Sequence, residues 1–165
     1  MKNTVALCAL SMLAASSIAH AATTQVEVKV ESPSFVSGVK TIELEDNVPQ
    51  TITFQAAATP AFDKRCVSLG LVDADGGVPT VVQLQVTAMR LDGNNRLVSA
   101  ELKARKAAES RKMLVSSNGE RADCPNVREF TTKMMGKLTP GTPELLFSAT
   151  DGRQDANISV TVMAK

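Results

Sequence analysis

Along much of this chain apolar residues alternate with polar ones, and a two-residue period predicts strands rather than helices. The pattern is plainest in Thr24-Gln25-Val26-Glu27-Val28-Lys29-Val30-Glu31, where Val26, Val28 and Val30 line one face and the charges the other. It returns over residues 40–44, with Ile42 and Leu44, and over residues 50–56, with Ile52 and Phe54. Ser32-Pro33-Ser34 interrupts the first segment, and Asp46-Asn47-Val48-Pro49 supplies turn chemistry between the next two. Residues 66–72 form a shorter alternation that closes on Asp73-Ala74-Asp75-Gly76-Gly77.

Residues 80–105 predict a hairpin. Val82, Leu84, Val86 and Ala88 alternate with Gln83, Gln85 and Thr87, and Asp92-Gly93-Asn94-Asn95 is a strong turn signal. Val98, Ala100, Leu102 and Ala104 alternate on the return limb. Residues 100–109 are also rich in good helix formers, so the limb is read as a strand running into a short helix or loop. Residues 118–126 read as a loop carrying Cys124. Residues 129–138 and 144–150 are further strands, and residues 157–163 close the chain with Ile158, Val160 and Val162 on one face. Seven to nine short strands, divided by Gly, Pro, Asn and Asp, predict an all-β fold. The expected architecture is an immunoglobulin-like antiparallel β-sandwich with room for one short helix.

The first twenty-one residues break the pattern. Lys2 precedes an apolar run from Val5 to Ala15, and Ala19-His20-Ala21 has the small-x-small form of a signal-peptidase site. Residues 1–21 are therefore expected to be a removed signal peptide, and residues 22–165 a single exported domain. Nothing later approaches the roughly 20 apolar residues of a membrane span. The expected location is the periplasm in transit, then the cell surface or medium.

Removal of Lys2 from the 18 Lys and Arg leaves them equal in number to the 17 Asp and Glu. A neutral chain with interspersed signs offers no electrostatic case for nucleic acid. Five Phe are the only aromatic residues, which argues against base-stacking platforms. Cys8 leaves with the signal, and the remaining pair, Cys66 and Cys124, is expected to form a disulfide in an oxidising compartment.

The only His, His20, also leaves, so the mature chain has no imidazole for acid–base work, nucleophile activation or metal binding. No catalytic residue, metal site or cofactor is assigned. Asp73-Ala74-Asp75-Gly76-Gly77 lacks the later acidic ligands of a calcium loop and reads as a turn. Adjacent Met134 and Met135 would point to opposite faces of a strand, so they do not chelate together. The basic run Lys103-Ala104-Arg105-Lys106, followed by Arg111-Lys112, reads as a solvated face balanced by Glu101 and Glu109. Asn157-Ile158-Ser159 fits a glycosylation sequon, with little weight in an exported bacterial chain.

The order of these parts resembles subunits of chaperone–usher pili. There a cleaved signal is followed by an alternating donor strand, a sandwich of about this length and a closing C-terminal strand. The matching pieces are residues 24–31 and 158–163. The resemblance implies a non-catalytic structural or adhesive subunit of a surface fimbria, assembled by strand addition. Its partners would be other pilus subunits and a periplasmic chaperone, with Val26, Val28 and Val30 as the donated side chains. The alternative is a soluble periplasmic or secreted binding module, such as an inhibitor or assembly accessory protein. In that case the same three valines form the first strand of its own sandwich.

Overall fold

A computed structural model describes residues 23–57, 62–149 and 158–165. The signal segment and Asn157 of the sequon lie outside the described residues. Among the described residues there are eight strands: β1 (Thr23–Glu31), β2 (Gly38–Glu45), β3 (Gln50–Gln55), β4 (Val81–Arg90), β5 (Arg96–Leu114), β6 (Arg121–Leu138), β7 (Glu144–Ala149) and β8 (Ile158–Ala164). They form two four-stranded sheets, β2-β1-β8-β7 and β3-β4-β5-β6, paired antiparallel throughout. The fold is an all-β sandwich.

The alternation explains the layering. Val26, Val28, Val30, Leu44, Val160 and Val162 of one sheet are buried against Ile52, Phe54, Val82, Leu84, Val86, Val98 and Leu102 of the other. Two close approaches depend on missing side chains. A Cβ on Gly38 would lie 2.7 Å from Cδ1 of Phe54, and one on Gly136 would collide with Leu146 of β7. The second contact lets β7 lie down over β6.

At the β2–β3 corner, Asn47 takes a left-handed conformation (φ 65°), and its N–H donates to the Ala88 carbonyl at 2.7 Å. Beside it Arg96, 7% exposed, reaches the Asp46 carboxylate and the Thr24 hydroxyl, each at 3.2 Å. Arg96 thereby ties the start of β5 to both the corner and β1. On the open edge of β3, Lys40 Nζ donates to the Thr53 carbonyl at 2.7 Å. A lysine at an edge blunts further strand pairing.

Three local expectations are corrected. Residues 66–72 are not a strand: they overlap a 3₁₀ helix, Lys64–Leu69. The Asp63 side chain accepts from the Arg65 N–H at its start, and left-handed Gly70 returns its N–H to Cys66 and Val67 at its end. Two caps outweigh a short apolar alternation. Residues 100–112 do not turn into helix, because β5 continues to Leu114 with β6 paired along its length. Cross-strand pairing overrides helix propensity there. Residues 118–126 are not one loop, since strand β6 begins at Arg121 and includes Cys124. The pairing shifts between Ala107↔Val127 and Ser110↔Pro125, so β5 carries one extra residue there. That bulge sits beside Pro125, which has no N–H to give to the ladder.

Candidate functional site

Two regions hold the residues singled out in the sequence. The first is the slot between β2 and β8, which β1 fills. Val26 lies opposite Ile42 and Ala164, Val28 opposite Lys40 and Val162, and Val30 opposite Gly38 and Val160. All three valines are fully buried. The structure thus brings the first-strand valines directly against Val160 and Val162 of the closing strand. Ile158 is buried in the same core, one residue beyond the last pair, Glu31↔Ser159. The end of the chain clasps the strand further: the Lys165 N–H donates to the Gln25 carbonyl at 2.9 Å, and its ammonium meets Glu27 at 2.8 Å.

Between β1 and β2 the chain reverses over Ser32–Ser37. The Ser32 hydroxyl accepts from the Phe35 N–H at 3.1 Å, and the Ser32 N–H donates to the Ser37 hydroxyl at 2.8 Å. This turn lays β1 beside β2 of the same chain.

The second region is an arm. β4 pairs with β5 only as far as Val81↔Arg105, whereas β5 and β6 continue together to Leu114↔Arg121. A second small core stabilises this overhang: Cys66, Val72, Val78, Ala122 and Cys124 are buried, with Phe62, Leu71 and Met113 packed around them. Cys66 and Cys124 are joined by a disulfide, with S–S 2.09 Å and Cα–Cα 5.6 Å. The staple anchors the 3₁₀ helix to the arm.

Beside the disulfide lies an open cleft of about 610 Å³, lined by Asp63, Arg65, Ser110, Lys112, Arg121 and Asp123 among others. Arg65 is held by Asp63 through paired hydrogen bonds and by Glu120 at 2.5 Å. Its guanidinium, donating to Asp63, holds that carboxyl down at about 2, while the two carboxylates raise the Arg65 pKa. The basic run passes from the sandwich sheet into the arm. Lys103 pairs with Glu101 at 3.1 Å, Lys106 lies 5.1 Å over the Phe35 ring, and Arg111 and Lys112 are exposed near the tip.

The remaining motifs fall where local physics puts them. The Asp73 carboxylate accepts from the N–H groups of Asp75 and Gly77, at 3.1 and 2.7 Å, and so closes its own turn. Met134 is buried and Met135 is 65% exposed on the opposite face. Among the described residues no three His, Cys, Asp or Glu side chains cluster as a metal site, and no helix is long and apolar enough to cross a membrane.

The sequence reading missed the arm and the buried Arg96. The arm was hidden because helix-forming residues cover its outgoing strand. Arg96 carries no local signal of burial, since its partners are 50 and 72 residues away. No family model, curated protein or solved structure matches the chain.

Proposed function

We propose that this chain is an exported, non-catalytic structural subunit of a surface fimbria, whose copies join by exchanging the strand Thr23–Glu31. The observation that carries this reading is the position of β1. It is the first strand among the described residues, yet it lies inside its sheet between β2 and β8, with three buried valines. With a signal peptide cleaved after residue 21, β1 would be tethered to the body only through the turn at Ser32–Ser37. A terminal strand with a single tether can leave its slot and be replaced by the same segment of a neighbour. Backbone pairs and valine contacts would be regained in full, so the exchange costs little beyond association. The closed form is then the single-copy state, and the fibre is its strand-exchanged counterpart. Location at the cell surface, passage through the periplasm and dependence on a chaperone belong to this reading.

A second reading is supported by the hydrogen-bonded turn at Ser32–Ser37, which folds β1 onto its own body. On that reading the protein is a self-contained periplasmic or secreted binding module that presents its stapled arm.

One experiment separates the two. Lys29 and Thr161 lie opposite each other across β1 and β8, so a Lys29→Cys/Thr161→Cys variant can form a cross-strand disulfide. In surface-sheared material, a ladder on non-reducing, heated gels that collapses with reductant supports strand exchange. A monomer carrying the added disulfide, recovered only from the periplasm, supports the self-contained module.

A further inference from the structure

The outward faces of the two sheets carry opposite charge. On the β2-β1-β8-β7 sheet, Glu27, Glu31, Glu43 and Glu45 occupy outward positions, opposed within the sheet by Lys29. Lys165, just beyond β8, adds one more cation beside Glu27. On the β3-β4-β5-β6 sheet, Lys103, Arg105, Lys133 and Lys137 point outward, against Glu101 and Glu129. Glu101 is already shared between Lys103 and Lys133, at 3.1 and 3.9 Å, which leaves that patch with a positive excess. Glu43 and Glu45 make no ion pair among the described residues. Each face also exposes isolated large apolar side chains: Val39 and Leu145 on the acidic sheet, Met89 and Met135 on the basic one.

We propose that these faces dock on each other between copies of this chain, the basic face of one copy lying on the acidic face of the next. The two faces are on opposite sides of the sandwich, so the contact is head-to-tail and leaves a free face at each end. Its occupant is a second copy because one chain presents both complementary surfaces. The charges are solvent-exposed and screened beyond about 8 Å at physiological ionic strength, so the association is weak and salt-sensitive. It is independent of strand exchange: it uses the outsides of the sheets, whereas exchange uses a slot inside one of them.

The test is sedimentation velocity of the mature, oxidised protein at low and at high salt, on wild type and two reversed variants. Lys103→Glu/Lys133→Glu makes both faces acidic, and Glu43→Lys/Glu45→Lys makes both basic; unchanged circular dichroism and melting temperature confirm that each folds. The wild type is expected to sediment as a concentration-dependent larger species at low salt and as a monomer at high salt. Each variant alone should remain monomeric, and an equimolar mixture should associate again at low salt. A wild type monomeric at both salts overturns the proposal, as does a mixture that stays monomeric. Association that persists at high salt yet dissolves in detergent without heating also overturns it. Strand-exchanged polymer is told apart because it resists salt and detergent until heated.

Discussion

Truncating Val28 to alanine tests the register on which the slot depends. Val28 is fully buried between Lys40 of β2 and Val162 of β8, so the lost methyl groups leave a space that only its neighbours can fill. Two buried carbons at about 0.8 kcal/mol each set a floor near 1.6 kcal/mol. Incomplete collapse of the cavity adds to it, for an expected loss of about 2–3 kcal/mol. The control is Lys29→Ala, one residue along and on the opposite face. The Lys29 side chain is 47% exposed and pairs with Glu31 at 2.7 Å, an exposed ion pair expected to matter by no more than about 0.5 kcal/mol. Urea unfolding of the mature, oxidised protein with a fixed m-value reads both differences. Strand exchange does not blur the result, because a donated β1 would bury Val28 in the same surroundings. A one-residue slip inverts the faces, so equal effects at Val28 and Lys29, or a larger effect at Lys29, would refute this placement of β1.

Opening the Cys66–Cys124 bridge by a Cys66→Ser/Cys124→Ser change releases a link across 58 residues of sequence, worth up to about 4 kcal/mol in the chain-entropy model. Because the bridge anchors the arm, hydrogen exchange should rise over residues 121–127 well before it rises at Leu84 or Leu102. Gly136→Val places a side chain against Leu146 and Glu144, and such overpacking should cost about 1–3 kcal/mol, seen as a lowered melting temperature. Asp63 gives an acid dependence whose sign follows from its depressed pKa. The stabilisation is complete above its ordinary 3.8 and is lost as pH falls through about 2. Asp63→Asn should therefore flatten that part of the pH–melting curve and leave the neutral region parallel; an unchanged acid limb would contradict the Asp63–Arg65 pairing.

Most strands could be read from the chain because inward and outward positions differ in chemistry. Val26, Val28 and Val30 against Glu27 and Lys29 leave only one way to face a core, and the same holds for Val82, Leu84 and Val86 against Gln83 and Gln85. Asp92-Gly93-Asn94-Asn95 forms the turn it predicts: Asn95 N–H donates to the Asp92 carbonyl at 3.0 Å, and Gly93 has a positive φ of 55°. The Cys66–Cys124 bond matches the pairing expected from cysteine count on the reading of residues 1–21 as a removed signal. Where the reading failed, the deciding forces were non-local or came from caps. Helix-forming residues 100–109 are held extended by partners in β4 and β6, and the apolar run after Cys66 is wound into a 3₁₀ helix by Asp63 and Gly70.

The sequence by itself determined that the chain forms strands and which side of most of them faces the core. These follow from the two-residue period and from residue chemistry acting over a few neighbours. Only the tertiary structure decided that the first strand lies between the second and the last, that β5 and β6 overhang the sandwich as a stapled arm, and that the two outer faces differ in charge. Each of those depends on which strands become neighbours. Strand order is set by how buried faces pack across long sequence separations, so no local pattern carries it.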